Sequence, residues 1–158
     1  MPVSGNPRLH AGRDSACDEG AHPEVARRKG VFLLNLSQED GHPVMADSFE
    51  SFGLAPELLR AVGDMGFTRP TPIQALAIPP LLAGRDVLGA AATGSGKTAA
   101  FLLPILHRLK DRPRGTTRVL VLAPTRELAA QIADHHRELA RHLRVSVASV
   151  FGGVGMAP

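Results

Sequence analysis

From residue 56 onward the apolar positions fall into two spacings. Short continuous apolar runs at Asp86–Ala90, Val119–Ala123 and Val145–Phe151 read as strands covered on both faces. Between them, Thr98–Lys110 reads as a helix. So does the segment in which Leu128, Ile132, His135 or His136, Leu139 and Leu143 recur at helical spacing, with one face packed on a sheet. Two more helices precede Asp86. The order is therefore helix, helix, strand, helix, strand, helix, strand. Such alternation predicts an α/β fold with a parallel sheet and right-handed crossovers. Pro104, inside Phe101–Leu106, predicts a kink, and Pro124 ends the second strand. Three parallel strands with apolar faces on both sides are few. Exposed strand edges and marginal stability are expected.

Residues 1–44 are a different kind of sequence, rich in Gly, Pro, Ser and charge, with one short apolar run, Val31–Leu34. They read as a disordered tail. A sharper expectation is that translation begins at Met45. Nothing in the chain is apolar for long enough to span a membrane as a helix. Val31–Leu34 is too short and too far from the start for a secretory signal.

Composition adds little to this and excludes more. The 158 residues are 44 % hydrophobic, enough for one domain or part of one. Cys17 is the only cysteine, so no intrachain disulfide forms, which fits a reducing cytoplasm. The net charge is +3, with −1 in residues 1–46 and +4 in residues 47–158. Arg108, Lys110, Arg112, Arg114 and Arg118 form the densest basic run. Phosphates could meet it, but a solvated loop explains it better. His135, His136 and His142 lack a companion cysteine or spaced carboxylate, so a helix face accounts for them better than a metal site.

The chemistry concentrates at Ala91-Ala92-Thr93-Gly94-Ser95-Gly96-Lys97-Thr98, between the Asp86–Ala90 strand and the next helix. This is a phosphate-binding loop in its strand–loop–helix setting. Gly94 and Gly96 let N–H groups turn inward around an anion, and the helix start adds its free N–H groups and dipole. Lys97 would reach the β- and γ-phosphates, and the Thr98 hydroxyl would sit on Mg²⁺. The general pattern begins with Gly, whereas Ala91 stands here. Gln74 offers one acceptor beside donors, a match for an adenine edge and a mismatch for guanine. Phe49 could lay a ring near a base, with neighbouring Phe52 the expected core packer. Pro124, Thr125 and Arg126 lie where a parallel strand meets a helix, the place where α/β sheets bind ligands. A hydroxyl and a guanidinium there suit a nucleic-acid phosphate.

Taken together, these stretches resemble the DEAD-box ATP-dependent RNA helicases of superfamily 2. Phe49, seventeen residues before Gly66-Phe67-Thr68-Arg69-Pro70-Thr71-Pro72-Ile73-Gln74, is similar to the family's Q motif, which spans about residues 47–75 here. Residues 91–98 resemble motif I, where Ala at the first position is usual. Pro124-Thr125-Arg126-Glu127-Leu128-Ala129 resembles motif Ia, and Gly152-Gly153 the GG motif. The resemblance covers roughly residues 47–158 and is closest to bacterial members of the RhlE-like kind. It implies the N-terminal part of a RecA-like domain over residues 45–158. It also implies ATP and Mg²⁺ as ligands, held by Phe49, Gln74 and the residues from Ala91 to Thr98, with Lys97 and Thr98 closest to the reacting phosphate. RNA would be held at Pro124, Thr125, Arg126, Gly152 and Gly153.

The family's reaction is ATP-driven strand separation. Hydrolysis needs a carboxylate on Mg²⁺ and a residue to orient water, which the family draws from its D-E-A-D motif. No D-E-x-D occurs in these residues, so negligible ATP turnover is expected of this chain by itself. Another phosphate-loop enzyme, such as a nucleotide kinase, or a short non-catalytic RNA- or nucleotide-binding product are the readings that compete.

Overall fold

The computed structural model describes the backbone of residues 31–35 and the whole of residues 46–152. In chain order the elements are strand β1 (Val31–Asn35), a 3₁₀ turn (Phe49–Phe52), helices α1 (Pro56–Asp64) and α2 (Pro72–Leu82), strand β2 (Asp86–Ala90), and helices α3 (Lys97–Leu109) and α4 (Arg126–Leu139). The two strands form one parallel sheet.

Each helix begins where its local chemistry allows. α1 opens on Pro56, a residue with no N–H to leave unsatisfied at that position. The N–H of Ala55, just ahead of it, is donated to Nδ1 of His107 on α3 at 3.1 Å. α2 starts at a Thr-x-x-Gln pattern: Gln74 Oε1 accepts the Thr71 N–H at 2.9 Å, which is one half of a capping box. The reciprocal half is in place but looser: Thr71 Oγ1 faces the Gln74 N–H without closing a hydrogen bond of ordinary geometry. α4 is capped by Thr125, whose Oγ1 accepts from Leu128 N at 3.2 Å. α3 runs as one helix from Lys97 to Leu109 with Pro104 inside it.

The main core gathers Phe49, Leu54, Leu58, Val62, Ile78, Leu102, Leu103, Leu106 and Leu139, drawn from the 3₁₀ turn and all four helices. A smaller cluster of Ile73, Ala77 and Ala100 joins α2 to α3 beneath the strand side, with Val87 and Ala91 against it. Outside the core, Asp64 at the end of α1 meets His142 at 2.7 Å and Arg141 at 3.6 Å, tying α1 to the turn after α4.

Three expectations need correction. Val119–Ala123 and Val145–Phe151 are not strands: neither run belongs to a ladder, and Leu120, Leu122 and Val150 are 80, 84 and 79 % exposed. A strand cannot satisfy its own backbone, and no described strand lies beside either run. The second correction is a gain, since Val31–Asn35, inside the stretch read as a tail, is paired strand. Its short apolar run lies along β2, whose edge the sequence left bare. The third concerns the two phenylalanines: Phe49 is the buried one, 3 % exposed and met edge-on by Phe52 at 6.0 Å between centroids, while Phe52 is only partly covered.

Candidate functional site

β2 delivers the chain into the loop Ala91–Gly96, and α3 carries it away. Gly94 and Gly96 have φ of +76° and +92°, the left-handed region that side chains avoid. Space separates the two. A Cβ at Gly94 would meet nothing within 4 Å, whereas at Gly96 it would lie 2.5 Å from Gln74 Nε2 and 3.0 Å from Thr71 Oγ1. Gly96 is therefore required by close approach as well as by conformation. Ala91, which replaces the usual first glycine, packs its methyl with the small α2–α3 cluster.

The charge at the loop is Lys97. Its Nζ donates to the carbonyls of Ala91 at 2.7 Å and Ala92 at 2.6 Å, across the base of the loop. Beside it, Ser95 Oγ is buried and has no partner. Thr98 is the second residue of α3, half-buried on the same turn. An ammonium, an orphaned hydroxyl and the free N–H groups of a thirteen-residue helix are the donor set that a phosphate needs. Thr93 stands exposed at the loop's outer turn.

Gln74 is 3 % exposed and turned inward. Besides accepting from Thr71 N, it donates from Nε2 to the Gly96 carbonyl at 3.2 Å. The α2 segment and the phosphate loop are thus joined directly. Phe49, expected to offer a ring face to a base, has no free face, because the core covers it. Its contribution in this arrangement is to pack α1 and its neighbours. Thr71 was not singled out from sequence, although the Thr-x-x-Gln pattern at the head of a helix was there to find it.

At the far end of the chain, Arg126 Nη2 donates to the carbonyl of Gly152. Motif-Ia-like and GG-like residues therefore come together although 26 positions separate them. Thr125 already serves as the cap of α4 through its oxygen, and its O–H remains a donor. Pro124, Thr125 and Arg126 are all exposed; Gly153 lies outside the described residues. A groove of about 910 Å³ runs between α3, α4 and the two unpaired runs, with Ile105, Ile132, Val121, Val147 and His136 among its walls. It does not include the phosphate loop. His136 is buried with Nδ1 unpartnered, and burial first, then the Arg137 charge, pushes its pKa below the ordinary value. Among the described residues no three His, Cys, Asp or Glu side chains gather as metal ligands.

The model of the DEAD/DEAH box helicase family matches residues 71–157, more than half of the chain. The chain belongs to the DEAD/DEAH box helicases. Among the relatives of this helicase chain, the ATP-dependent RNA helicase SrmB of Escherichia coli is 58 % identical over 110 residues, covering 68 % of this chain and 25 % of that protein. The ATP-dependent RNA helicase HAS1 of Saccharomyces cerevisiae is 46 % identical over 144 residues, 89 % of this chain and 28 % of that protein. Among solved structures, the RNA helicase Prp28 from Chaetomium thermophilum bound to ADP superposes with a TM-score of 0.66 at 44 % identity, over 73 % of this chain and 29 % of its own. The helicase chain thus spans about a quarter of the length of the curated relatives it matches. These likenesses carry the RecA-like α/β class and the family, and not the narrower RhlE-like type.

Proposed function

We propose that this chain is the ATP-gripping part of an ATP-dependent RNA helicase. The observation that carries the reading is Lys97, clasped by the Ala91 and Ala92 carbonyls at the base of a glycine loop that Gln74 touches. Two carbonyls are weak partners for an ammonium compared with phosphate oxygens. Triphosphate would draw Lys97 away from them, with Ser95 Oγ and the first N–H groups of α3 completing the grip. Thr98 would supply its hydroxyl to Mg²⁺, whose chemistry is to neutralise charge between β- and γ-phosphates. Gln74 would read adenine once one of its two present hydrogen bonds yields, with Phe49 supporting it from the core. Pro124, Thr125, Arg126, Gly152 and Gly153 would hold RNA phosphates: Thr125 through its free O–H, Arg126 through the donors it does not spend on Gly152. RNA is the partner and the cytoplasm the setting, which the lone Cys17 fits. The RhlE-like kinship rests on arginine-rich, lysine-poor usage and on the wording of the motifs.

Titration of the 158-residue chain with a fluorescent ATP analogue tests this. ATP is expected to compete at least tenfold better than GTP, and Lys97→Ala to weaken binding by about 2 kcal/mol or more, the cost of removing a charged hydrogen-bond partner. Equal competition by GTP, or unchanged binding in Lys97→Ala, would refute the reading. Steady ATP release of phosphate by this chain, with or without RNA, is expected to be absent. A colorimetric phosphate assay that finds turnover would show that another carboxylate does the work of the D-E-A-D motif.

A further inference from the structure

α1 starts without a cap of its own. Its N-cap residue, Ala55, has no side-chain oxygen to offer, and Pro56 has no N–H. The N–H of Ala55 is held instead by a side chain 52 positions away, Nδ1 of His107 at 3.1 Å, in a partly buried contact. A backbone N–H can only donate. Nδ1 therefore carries no proton, and the neutral ring bears its proton on Nε2. Electrostatics mark the same junction. The pKa of Lys110, the C-cap of α3, is raised first by its hydrogen bond to Asp111 and further by the Asp111 and Glu57 carboxylates. Glu57 stands in the first turn of α1.

The segment that His107 holds lies beneath Gln74. Phe49 and Leu54 pack with Leu102 and Leu106 of α3 and with Ile78 of α2 in one core cluster. Ile78 follows Gln74 by about one turn of α2, and Gln74 Nε2 meets the Gly96 carbonyl. We infer that His107 is a positioning residue for adenine recognition: through Nδ1 it seats the Phe49 turn and the start of α1 on α3, and so steadies the floor on which Gln74 is oriented. The inference rests on the reading that Gln74 selects adenine. An amide distinguishes adenine from guanine only when its oxygen and nitrogen point one way. A looser floor lowers the fraction of chains in that orientation, and affinity for ATP falls with that fraction. Lys97 and the loop meet the same phosphates in ATP and GTP, so the loss falls on the preference between them.

Three substitutions separate the acceptor from the packing. His107→Asn places an amide oxygen close to where Nδ1 stands. His107→Gln carries its oxygen one carbon further out, nearer the place of Nε2. His107→Leu fills space and accepts nothing. The full chain and these variants are compared in three measurements: the imidazole ¹⁵N shifts of His107 in the parent, which report the protonated nitrogen; hydrogen exchange at the Ala55 amide; and competition by ATP and by GTP against a fluorescent ATP analogue.

The parent is expected to show the Nε2–H form. His107→Gln and His107→Leu should exchange faster at Ala55 and lose about fivefold of the ATP-over-GTP preference, the worth of one hydrogen bond. His107→Asn should match the parent in both. A proton on Nδ1 in the parent overturns the inference. So does an unchanged preference in Gln and Leu, or an Asn variant as poor as Leu. Equal losses for ATP and GTP would mean general loosening and would overturn it as well. Should the Leu variant fail to fold, the contrast between Asn and Gln decides by the same outcomes. If the parent binds ATP and GTP equally, the adenine reading of Gln74 fails by itself. Ala55 exchange then judges the clip: slow in the parent and Asn and fast in Leu upholds it, and equal exchange in all four ends it.

Discussion

Gly96 is the residue on which the site closes. Its φ of +92° costs a side chain about 1–2 kcal/mol, and a Cβ would also press on Gln74 Nε2 at 2.5 Å. Gly94 has the conformation without the crowding. Gly96→Ala should therefore destabilise the chain and weaken ATP binding clearly more than Gly94→Ala, which should cost about 1 kcal/mol in urea unfolding. Equal costs would mean that Gln74 moves aside freely. His136 sets a pH dependence at the same scale. Burial holds its pKa below the ordinary 6.5, so on acidification the unfolded chain takes up the proton first. The stability it contributes is complete above pH 6.5 and is lost as pH falls from there toward the lower folded value. A urea midpoint that drops between about pH 7.5 and 5.5, and drops less in His136→Leu, would bear this out. Asp64 does not confuse the comparison. Its pKa is lowered, first by the hydrogen bond from His142, so its contribution fades only below 3.8.

Elements differ in how well their own residues announce them. The apolar spacing placed a helix at Thr98–Lys110 and the structure has Lys97–Leu109; the strand at Asp86–Ala90 is where the run put it. Helices are legible because each makes its own hydrogen bonds and because cap residues such as Thr125 are local signals. Strands are legible only as candidates. Val119–Ala123 has as strong an apolar run as β2 and forms no ladder, whereas Val31–Asn35, with a weaker claim, does. The helices also carry the core, which predicts where a cavity hurts. Leu103 is fully buried among them, and Leu103→Ala should cost about 2–5 kcal/mol by chemical denaturation. A cost below 1 kcal/mol would show that α3 repacks around the void.

At the scale of the whole molecule, the notable fact is an uncovered apolar surface. Leu88, Leu120, Leu122 and Val150 are each more than half exposed, and the runs that hold the last three pair with no described strand. Such surface promotes association. Sedimentation at rising concentration should show the chain self-associating, and replacing Leu120 and Leu122 together by Lys should reduce this without loss of helical signal. A monomer at every concentration would mean that these runs find cover within the chain.

The chemistry was set by residue identity at short range. A phosphate loop is specified by glycines, one lysine and one threonine within eight positions, and its function needs only backbone N–H groups that the following helix start supplies. Sequence alone therefore proposes Gly94, Gly96, Lys97 and Thr98 as the phosphate grip, and the structure sets them between β2 and the start of α3. Long-range approach decided the rest. That Gln74 reaches the Gly96 carbonyl, that Arg126 meets Gly152, that Phe49 rather than Phe52 is enclosed, and that β1 lies along β2 are all contacts between segments distant in sequence. No local pattern encodes such contacts, because each depends on which surfaces the packed helices bring together and which backbone edges they leave without a partner.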